Sequence, residues 1–196
     1  ICAASRATIF TGMVERSHHY TFGTPAIAQD FVNNSYPVVM KNAGYKTGFV
    51  GKFGVGFAGG TQQAFDFFHP INRNKYFKKQ PDGSMRHETQ ILGDWAIDFL
   101  KEQPEDQPFC LQVSFNATHA EDGDKRPGIG HYPWPKVTDG MYEGQRMPLP
   151  PLNDPSIYEA QPDFLKKSIN RQRYFWRWDT AEKYQTNMRA YFRMIS

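Results

Sequence analysis

The sequence has little of what marks several classes of protein. Only two cysteines, Cys2 and Cys110, occur among its 196 residues. No CxxC pair is present, so the sequence indicates neither a disulfide framework nor a cysteine-rich zinc site, and spacing alone does not decide whether the two cysteines pair. No apolar run approaches the roughly 18 residues of a membrane-spanning helix, and no charged-then-apolar leader precedes the first motif. We therefore expect no membrane span, and because Ile1 is not an initiator Met we expect the chain to begin inside a longer precursor.

Charge and composition exclude further classes. A net charge of +3 allows attraction to an anionic substrate but falls well short of the basic footprint of a nucleic-acid binder. An apolar fraction of 39% with 15% aromatic residues excludes a disordered chain. Mean hydropathy of −0.66 together with 14 Pro and 16 Gly predicts many surface loops. The length suits one domain or a large piece of one.

The first half of the chain alternates helical and strand patterns. Residues 2–12 suit a short helix that ends at Gly12, which places Cys2 at a helix N-terminus. A second helix should run from near Pro37 to Gly44, and the following stretch 45–53 is typical of a strand.

The same alternation continues over residues 87–117. Residues 87–103 carry apolar side chains at helical spacing and predict an amphipathic helix. The near-continuous apolar run 108–117 is typical of a strand buried on both faces of a parallel sheet. These patterns predict an α/β fold.

The remainder is less regular. Residues 121 to about 180 are rich in Pro, Gly, Asp and Lys and predict a long loop-rich excursion, of the kind that forms functional rims or lids. Residues 180–196 predict a helix capped by Thr180. Its apolar side would consist of Tyr184, Met188, Tyr191, Phe192 and Ile195.

The stretch Cys2-Ala3-Ala4-Ser5-Arg6, followed by Thr11-Gly12, resembles the CxPSR or CxASR motif of the type I sulfatases. The resemblance implies that Cys2 is oxidised to formylglycine by a formylglycine-generating enzyme, and that its hydrated aldehyde is the nucleophile. The second oxygen of the diol can expel the bound sulfate, which plain Ser or Cys cannot do. Arg6 lies one helical turn away, where its guanidinium can hold the oxygens of that residue.

Two later segments resemble the same family in order and spacing. The segment 43–56 is similar to the family's GYxTxxxGKWHLG stretch, and Lys52 matches the Lys that contacts the sulfate and the nucleophile. Gly54 stands where the family usually has a catalytic His, which assists the release of sulfate from residue 2. Three possibilities stay open: His18 or His19 substitutes for it, sulfate release is slow, or this is a degenerate member of the family. Segment 108–121 is similar to PFFLYLSFxAPHxP, and His119 matches the His that contacts sulfate and protonates the leaving oxygen.

The resemblance also implies a fold and a metal. The fold is alkaline-phosphatase-like, with a mixed, mainly parallel sheet flanked by helices on both faces, incomplete in this chain, and it would bring Cys2, Lys52 and His119 to the carboxyl ends of strands. The family binds a divalent cation, usually Ca²⁺, through the formylglycine at Cys2 and through carboxylates expected outside this chain. Residues 1–196 would thus be a middle part of one catalytic domain, inactive alone. A periplasmic, secreted or lysosomal location is implied.

The run 171–178 interleaves arginines with aromatic residues. Packing is its default role, and binding of a sugar at a rim formed by Trp176, Arg177 and Trp178 comes second, ahead of nucleic acid. The run 54–59 fits GxGxxG but opens no amphipathic helix, so a nucleotide site is not expected. Asn33 and Asn116 begin glycosylation sequons, of which the second is too close to His119 to be expected in use.

The sequence predicts a sulfuric ester hydrolase acting on a carbohydrate sulfate or another small-molecule sulfate ester. Two alternatives stay open. One is a phosphate or phosphonate ester hydrolase that uses the same residues. The other is a non-catalytic relative that binds sulfated glycans, which the glycine at position 54 favours.

Overall fold

A computed structural model describes residues 2–72, 75–126 and 131–196. Contacts group the chain into two compact units, which we describe separately. The first unit consists of Ile1–Asn72 and Glu88–Asn116, and the second of Arg73–His87 and Ala117–Ser196. Within the loop-rich excursion, positions 127–130 lie outside the described residues.

The first unit is built on a parallel sheet. Strand β1 (Lys46–Gly51) lies between β2 (Phe67–Pro70) and β5 (Phe109–Ser114) and runs parallel to both. The predicted α/β fold with a parallel sheet is confirmed. One detail was wrong: β5 pairs with β1 alone among the described strands and is half-buried, whereas β1 is the strand that is buried along nearly its whole length.

Helices cover both faces of this sheet. At Gly48 of β1, an added Cβ would lie 2.7 Å from the Phe99 ring of helix α5 (Glu88–Lys101), so α5 packs directly on that face. The next residue, Phe49, points to the opposite face because side chains alternate along a strand. There its ring centroid is 6.0 Å from that of Phe10 in helix α1 (Cys2–Thr11). Both predicted helices are present.

Three short helices connect α1 to β1. They are α2 (Glu15–His18), α3 (Gln29–Asn33) and α4 (Tyr36–Asn42). The predicted helix near Pro37 is therefore confirmed, and Gly44 after it has a φ of +88°, a left-handed backbone that suits glycine.

A cluster of phenylalanine rings holds α1 on the sheet. Phe10 is fully buried, and its ring lies 5.2 Å from Phe53 and 5.3 Å from Phe57, centroid to centroid. Phe49 and Phe65 complete the cluster. Truncating such a ring to Ala costs about 3 to 5 kcal/mol, so the packing fixes the position of α1 relative to the residues that follow β1.

Helices are the main regular elements of the described part of the second unit. Strands β3 (Phe77–Lys79) and β4 (Met85–His87) form an antiparallel hairpin. The chain then forms a 3₁₀ turn (Lys136–Thr138) and four helices. These are α6 (Pro155–Glu159), α7 (Asp163–Lys166), α8 (Ile169–Arg177) and α9 (Ala181–Ile195). Within the stretch predicted to be a loop-rich excursion, α6 to α8 are three short helices that the sequence patterns did not indicate.

Helix α9 confirms its predicted cap but not its predicted face. The Thr180 hydroxyl accepts a hydrogen bond from the Lys183 backbone N–H at 3.2 Å, as an N-cap should. The residues of α9 that are most buried are Asn187, Ala190, Arg193 and Met194. Ile195 is 58% exposed, so the buried stripe is rotated away from the one that hydrophobicity alone predicted.

No helix in the described part of the chain is both long and apolar enough to cross a membrane.

Candidate active site

Helix α1 presents Cys2 and Arg6 on one side while its other side is buried. Ala3, Ala7 and Phe10 are buried at the i, i+4, i+7 spacing of one helical face. Cys2 is half-buried at the first position of the helix, where backbone N–H groups and the helix dipole favour negative charge. Arg6 follows one turn later, on the same side as Cys2.

The Arg6 guanidinium joins the ends of two parallel strands. Its Nη1 donates to the Lys52 carbonyl oxygen at 2.5 Å and to the Ser114 hydroxyl at 2.6 Å. Ser114 ends β5, and Lys52 immediately follows β1, so both lie at the carboxyl edge of the sheet. The Lys52 backbone N–H also donates to the Ser114 carbonyl at 2.8 Å. The sequence therefore brings Cys2, Arg6 and Lys52 to one corner of the first unit, which we call the Cys2 corner.

The environment of Arg6 shows that Cys2 lies within electrostatic range. Burial lowers the pKa of Arg6 from its usual value, and interaction with the Cys2 thiolate acts in the opposite direction and raises it. An anion at position 2 is thus stabilised by the guanidinium. Both acceptors of the recorded Arg6 bonds are uncharged oxygens, so its positive charge remains available.

Lys52 adds a second cation to the corner. It is half-buried, and in the described ranges no hydrogen bond or salt bridge of its ammonium group is found. Two neighbouring cations that have no carboxylate partner in the described ranges favour binding of an oxyanion.

Gly54 lies against both cations. Its φ of +66° is left-handed, and an added Cβ would be 3.1 Å from Cδ of Arg6 and 3.6 Å from Cε of Lys52. The position where the family usually has a His therefore adjoins the two cations, but here it carries no side chain, and the Arg6 side chain passes directly over it.

Neither neighbouring histidine is well suited to replace that His. The His18 side chain is 5% exposed, and its Nδ1 accepts from the Tyr20 backbone N–H at 3.0 Å. Its Nε2 then carries the proton and donates to the Thr8 hydroxyl at 3.2 Å. His18 is thus bound through both ring nitrogens. His19 is exposed, with a left-handed φ of 51° at the end of α2.

His119 belongs to the second unit. Its backbone carbonyl accepts from the Tyr76 hydroxyl at 2.6 Å, and Tyr76 is fully buried. Its ring Nδ1 donates to the Ala120 carbonyl at 2.7 Å. The side chain itself is exposed and held in one orientation.

A cleft of about 370 Å³ lies beside His119 within the second unit. We call it the His119 cleft, and it contains two of the predicted rim residues, Arg177 and Trp178. Trp176 is not among the described residues that line it. The described lining residues are His119, Ala120, Asp122, Tyr132, Asn170, Arg173, Tyr174, Arg177 and Trp178.

The sequence analysis missed most of these residues. Four of them, Asn170, Arg173, Tyr174 and Arg177, share one face of α8 at i, i+3, i+4, i+7 spacing. Their spacing could have indicated a polar helical face, but they lie in a stretch whose composition predicted a loop-rich excursion. Asp122 and Tyr132 come from distant parts of the chain and gave no such indication.

The structure bears on the glycosylation sequons and on the GxGxxG run. Asn116 is 4% exposed, so its sequon is inaccessible in the folded protein, whereas Asn33 is exposed. No helix begins between Gly54 and β2, as the dinucleotide motif would require, although the whole of this stretch is described.

The residues present do not form a calcium site. Among residues 2–72, 75–126 and 131–196, no three His, Cys, Asp or Glu side chains are grouped so that they could hold a metal ion. No step of the chemistry below is derived through a metal.

Comparison with known proteins gives concordant results. The family model for sulfatases matches residues 1–196. The N-acetylglucosamine-6-sulfatase of Capra hircus is 25% identical over 147 residues, covering 61% of this chain and 26% of that protein. The human protein of the same name is 24% identical over 147 residues, covering 61% of this chain and 27% of its own length. The N-acetylglucosamine-6-O-sulfatase of Bacteroides thetaiotaomicron is 26% identical over 127 residues, covering 59% of this chain and 22% of that protein.

A solved structure agrees in fold. BT4656, in complex with its substrate D-glucosamine-2-N,6-O-disulfate, superposes with a TM-score of 0.58 at 21% identity, over 77% of this chain and 30% of that chain. The chain spans about a quarter of the length of the curated relatives it matches. Because the family model covers all of its residues, the chain belongs to the sulfatase family.

Proposed function

We propose that the protein hydrolyses a sulfate ester of a carbohydrate. The observation that carries the proposal is the Cys2 corner, where the side chains of Arg6, one turn from Cys2 on α1, and of Lys52 both adjoin Gly54 and have no carboxylate partner among the described residues. Family membership supports the reaction class. The names of the curated relatives support a sulfated glucosamine as the substrate.

The proposal assigns Cys2 as the site of the nucleophile. When oxidised to formylglycine and hydrated, this residue supplies one oxygen for attack on sulfur and a second through which sulfate is released. Arg6 is positioned to hold the oxygens of residue 2, since Lys52 and Ser114 fix its guanidinium. The Lys52 ammonium would stabilise the negative charge on the sulfuryl oxygens as the ester bond breaks.

His119 is assigned as the acid for the leaving group. The Ala120 carbonyl holds the Nδ1 proton, which leaves Nε2–H of the imidazolium as the proton that can be transferred to the departing sugar oxygen. Such a transfer is worth about 100-fold or more in rate when the leaving group is a sugar alcohol.

Gly54 removes one group that the family uses. The step assigned to that His is release of sulfate from residue 2, and the hydrogen bonds of His18 argue against its serving as the replacement. We therefore expect sulfate release, rather than cleavage of the ester, to limit turnover. A protein that binds sulfated sugar tightly without turning it over would instead be the non-catalytic relative.

Maturation and location follow from the same assignment. Conversion of Cys2 requires a formylglycine-generating enzyme as a partner. Ca²⁺ belongs to the proposal only as the family's cation, since the described residues contain no group of three His, Cys, Asp or Glu side chains that could hold it, and ligands other than residue 2 are expected outside this chain. A periplasmic, secreted or lysosomal location belongs to the proposal through family membership.

Turnover by the intact, matured protein tests the proposal. The substrates would be N-acetylglucosamine 6-sulfate, 4-nitrophenyl sulfate and 4-nitrophenyl phosphate, with a Cys2→Ala variant as the blank. We expect both sulfates to be hydrolysed and the phosphate to be a poor substrate. Faster hydrolysis of the phosphate would favour the phosphate ester alternative, and no turnover of any substrate by formylglycine-bearing protein would contradict the proposed activity.

A further inference from the structure

The guanidinium group of Arg171 is surrounded by aromatic rings. Arg171 lies in the first turn of α8, and its Cζ is 3.5 Å from the ring centroid of Tyr158. The same atom is 4.7 Å from the centroid of Tyr174 and 4.4 Å from that of Phe175. A guanidinium is attracted to the faces of aromatic rings, because the ring quadrupole is negative there. Three such contacts hold the Arg171 side chain in one place.

Two helices of the second unit form this aromatic cage. Tyr174 and Phe175 follow Arg171 by three and four residues on α8, the spacing at which side chains are neighbours on a helix surface. Tyr158 belongs to α6, and its hydroxyl donates to the Lys166 carbonyl at 3.4 Å. The contact between Arg171 and Tyr158 therefore brings the end of α6 against the start of α8.

The N–H donors of Arg171 lack protein acceptors in the described part of the chain. Its Nε is buried, and no hydrogen-bond partner for this atom is found among residues 2–72, 75–126 and 131–196. Within the same ranges the guanidinium forms no salt bridge. A guanidinium carries five N–H donors around its edge, and the contacts with the rings engage only its charge. A buried donor without an acceptor is costly, so packing alone does not account for Arg171.

Arg171 lines a cleft of about 510 Å³ in the second unit, which we call the Arg171 cleft. Leu152 and Ile157 give this cleft an apolar surface, and both side chains are exposed. Asn153 and Gln161 add amide groups. A cleft of this size and lining suits a small molecule that has an apolar body and few polar groups.

Two carboxylates restrict the charge of a ligand in this cleft. Asp154 and Glu159 also line it, but in the described structure neither forms a salt bridge with Arg171. Oδ1 of Asp154 accepts from the Ser156 backbone N–H at 2.9 Å, and this bond lowers the pKa of the carboxyl. Asp154 is thus ionised and repels a dianion such as phosphate more strongly than a monoanion. A carboxylate carries one charge, and its two oxygens match two N–H groups of a guanidinium.

We propose that the Arg171 cleft binds a small apolar carboxylate. The carboxylate accepts from the N–H donors of Arg171, and the apolar body of the ligand packs on Leu152 and Ile157. The aromatic cage holds the guanidinium in place before the ligand arrives, which reduces the entropy that binding costs. This inference is independent of the proposed function and concerns the second unit alone.

Fluorine NMR of the intact protein tests the inference with three probes of similar size. They are 4-fluorobenzoate, the neutral 4-fluorobenzamide, and 4-fluorophenylphosphonate, which is a dianion at pH 8. A ligand of about ten heavy atoms with one charge-assisted contact should bind with a Kd of about 1 to 10 mM. We expect 4-fluorobenzoate to bind at least about 10-fold more tightly than the other two probes.

Two substitutions separate the donors from the cage. Arg171→Gln removes the charge and the planar fork, so the Kd of 4-fluorobenzoate should rise about 10-fold or more. Tyr158→Leu keeps Arg171 but removes its closest ring, so the Kd should rise about 3-fold. Tyr158→Phe retains the ring and should leave the Kd unchanged. Circular dichroism of each variant checks that α8 is intact.

The controls remove the same charge from other arginines. Arg173→Gln changes a residue of α8 that belongs to the described lining of the His119 cleft, and Arg6→Gln changes the Cys2 corner, where an anion is also expected. Neither should change the Kd by more than about 2-fold, because salt screens charges at a distance. An unchanged Kd in Arg171→Gln, a loss confined to either control, or tighter binding of the phosphonate would overturn the inference. So would failure of the wild-type protein to bind 4-fluorobenzoate.

Discussion

The Cys2 corner and the His119 cleft each contain two cations, but they differ in whether a carboxylate neutralises those cations. In the Cys2 corner, the recorded bonds of Arg6 end on a carbonyl and a hydroxyl, and Lys52 has no carboxylate partner in the part of the chain that the structure describes. In the cleft, Arg177 is neutralised by Asp122 and fixed by His131. Unneutralised cations can meet charge that develops during a reaction, whereas a neutralised arginine shapes a wall. We therefore expect attack on sulfur in the first region and, apart from the proposed acid His119, a wall that shapes binding in the second.

Removing Cys2 should have the largest effect. Cys2→Ala deletes the only side chain assigned as nucleophile, so kcat should fall by about 10⁴-fold or more. The control is Cys110→Ala, because Cys110 is the other free cysteine and burial raises the pKa of its thiol, which disfavours the nucleophilic thiolate. Initial rates on N-acetylglucosamine 6-sulfate measure both. Comparable loss in the two variants would show that Cys2 has no special role.

Replacing Arg6 should come next. Lysine keeps the charge but cannot reach the Lys52 carbonyl and the Ser114 hydroxyl together, so we expect Arg6→Lys to lower kcat about 100- to 1,000-fold. Arg16→Lys, on an exposed position of α2, should leave kcat unchanged. Wild-type activity in Arg6→Lys would remove the guanidinium from the site.

The role of His119 can be tested through the leaving group. His119→Gln should lower kcat/KM about 100-fold on a sugar sulfate, whose alcohol needs a proton in order to leave. On 4-nitrophenyl sulfate, whose phenolate leaves readily, the loss should be less than about 5-fold. A loss of equal size on both substrates would indicate that His119 binds sulfate or supports the fold and does not act as an acid.

A methyl group at Gly54 should have a moderate effect. Its Cβ would lie 3.1 Å from Cδ of Arg6 and displace the guanidinium, so we expect kcat to fall about 10-fold in Gly54→Ala. Gly23→Ala imposes similar backbone strain at a φ of +80°, but nothing lies within 4 Å of the new Cβ. This control therefore separates backbone strain from contact with Arg6. The measurements are kcat and the thermal unfolding temperature of both variants. If both lose kcat equally, contact with Arg6 is not responsible.

The smallest effect should come from a helix cap that does not line either site. Thr180→Ala removes the hydroxyl that accepts from the Lys183 N–H, which should lower the free energy of unfolding by about 1 kcal/mol. Thr180→Ser keeps the cap and should lose little. Denaturant unfolding measures both variants, and kcat should not change. A large fall in kcat would show that α9 is linked to the chemistry.

The sequence predicted the first unit better than the second. Local patterns were sufficient for α1, α4, β1 and α5, and the spacing of Cys2 and Arg6 placed both on one side of a helix. The β3–β4 hairpin was missed although Pro81-Asp82-Gly83 is a turn sequence, because its strands have only three residues each. In α9 the burial of Asn187, which donates to the Arg177 carbonyl at 2.8 Å, outweighed hydrophobicity. Tertiary hydrogen bonds of this kind are not encoded in local periodicity.

The His119 cleft was predicted only in part for the same reason. Trp176 seemed equivalent to Arg177 and Trp178 in a run of aromatic and basic residues, but helical geometry turns it away from the face that carries Asn170 and Arg173. Asp122 and Tyr132 join that face from more than 35 positions earlier in the chain.

The mass of the Cys2 peptide, in protein isolated with sulfatase activity from its native source, tests the central claim most directly. Oxidation of the thiol to the aldehyde lowers the peptide mass by about 18 Da, and the account predicts this loss at Cys2 and none at Cys110. An active preparation in which the Cys2 peptide retains the full mass of an unmodified cysteine would contradict it.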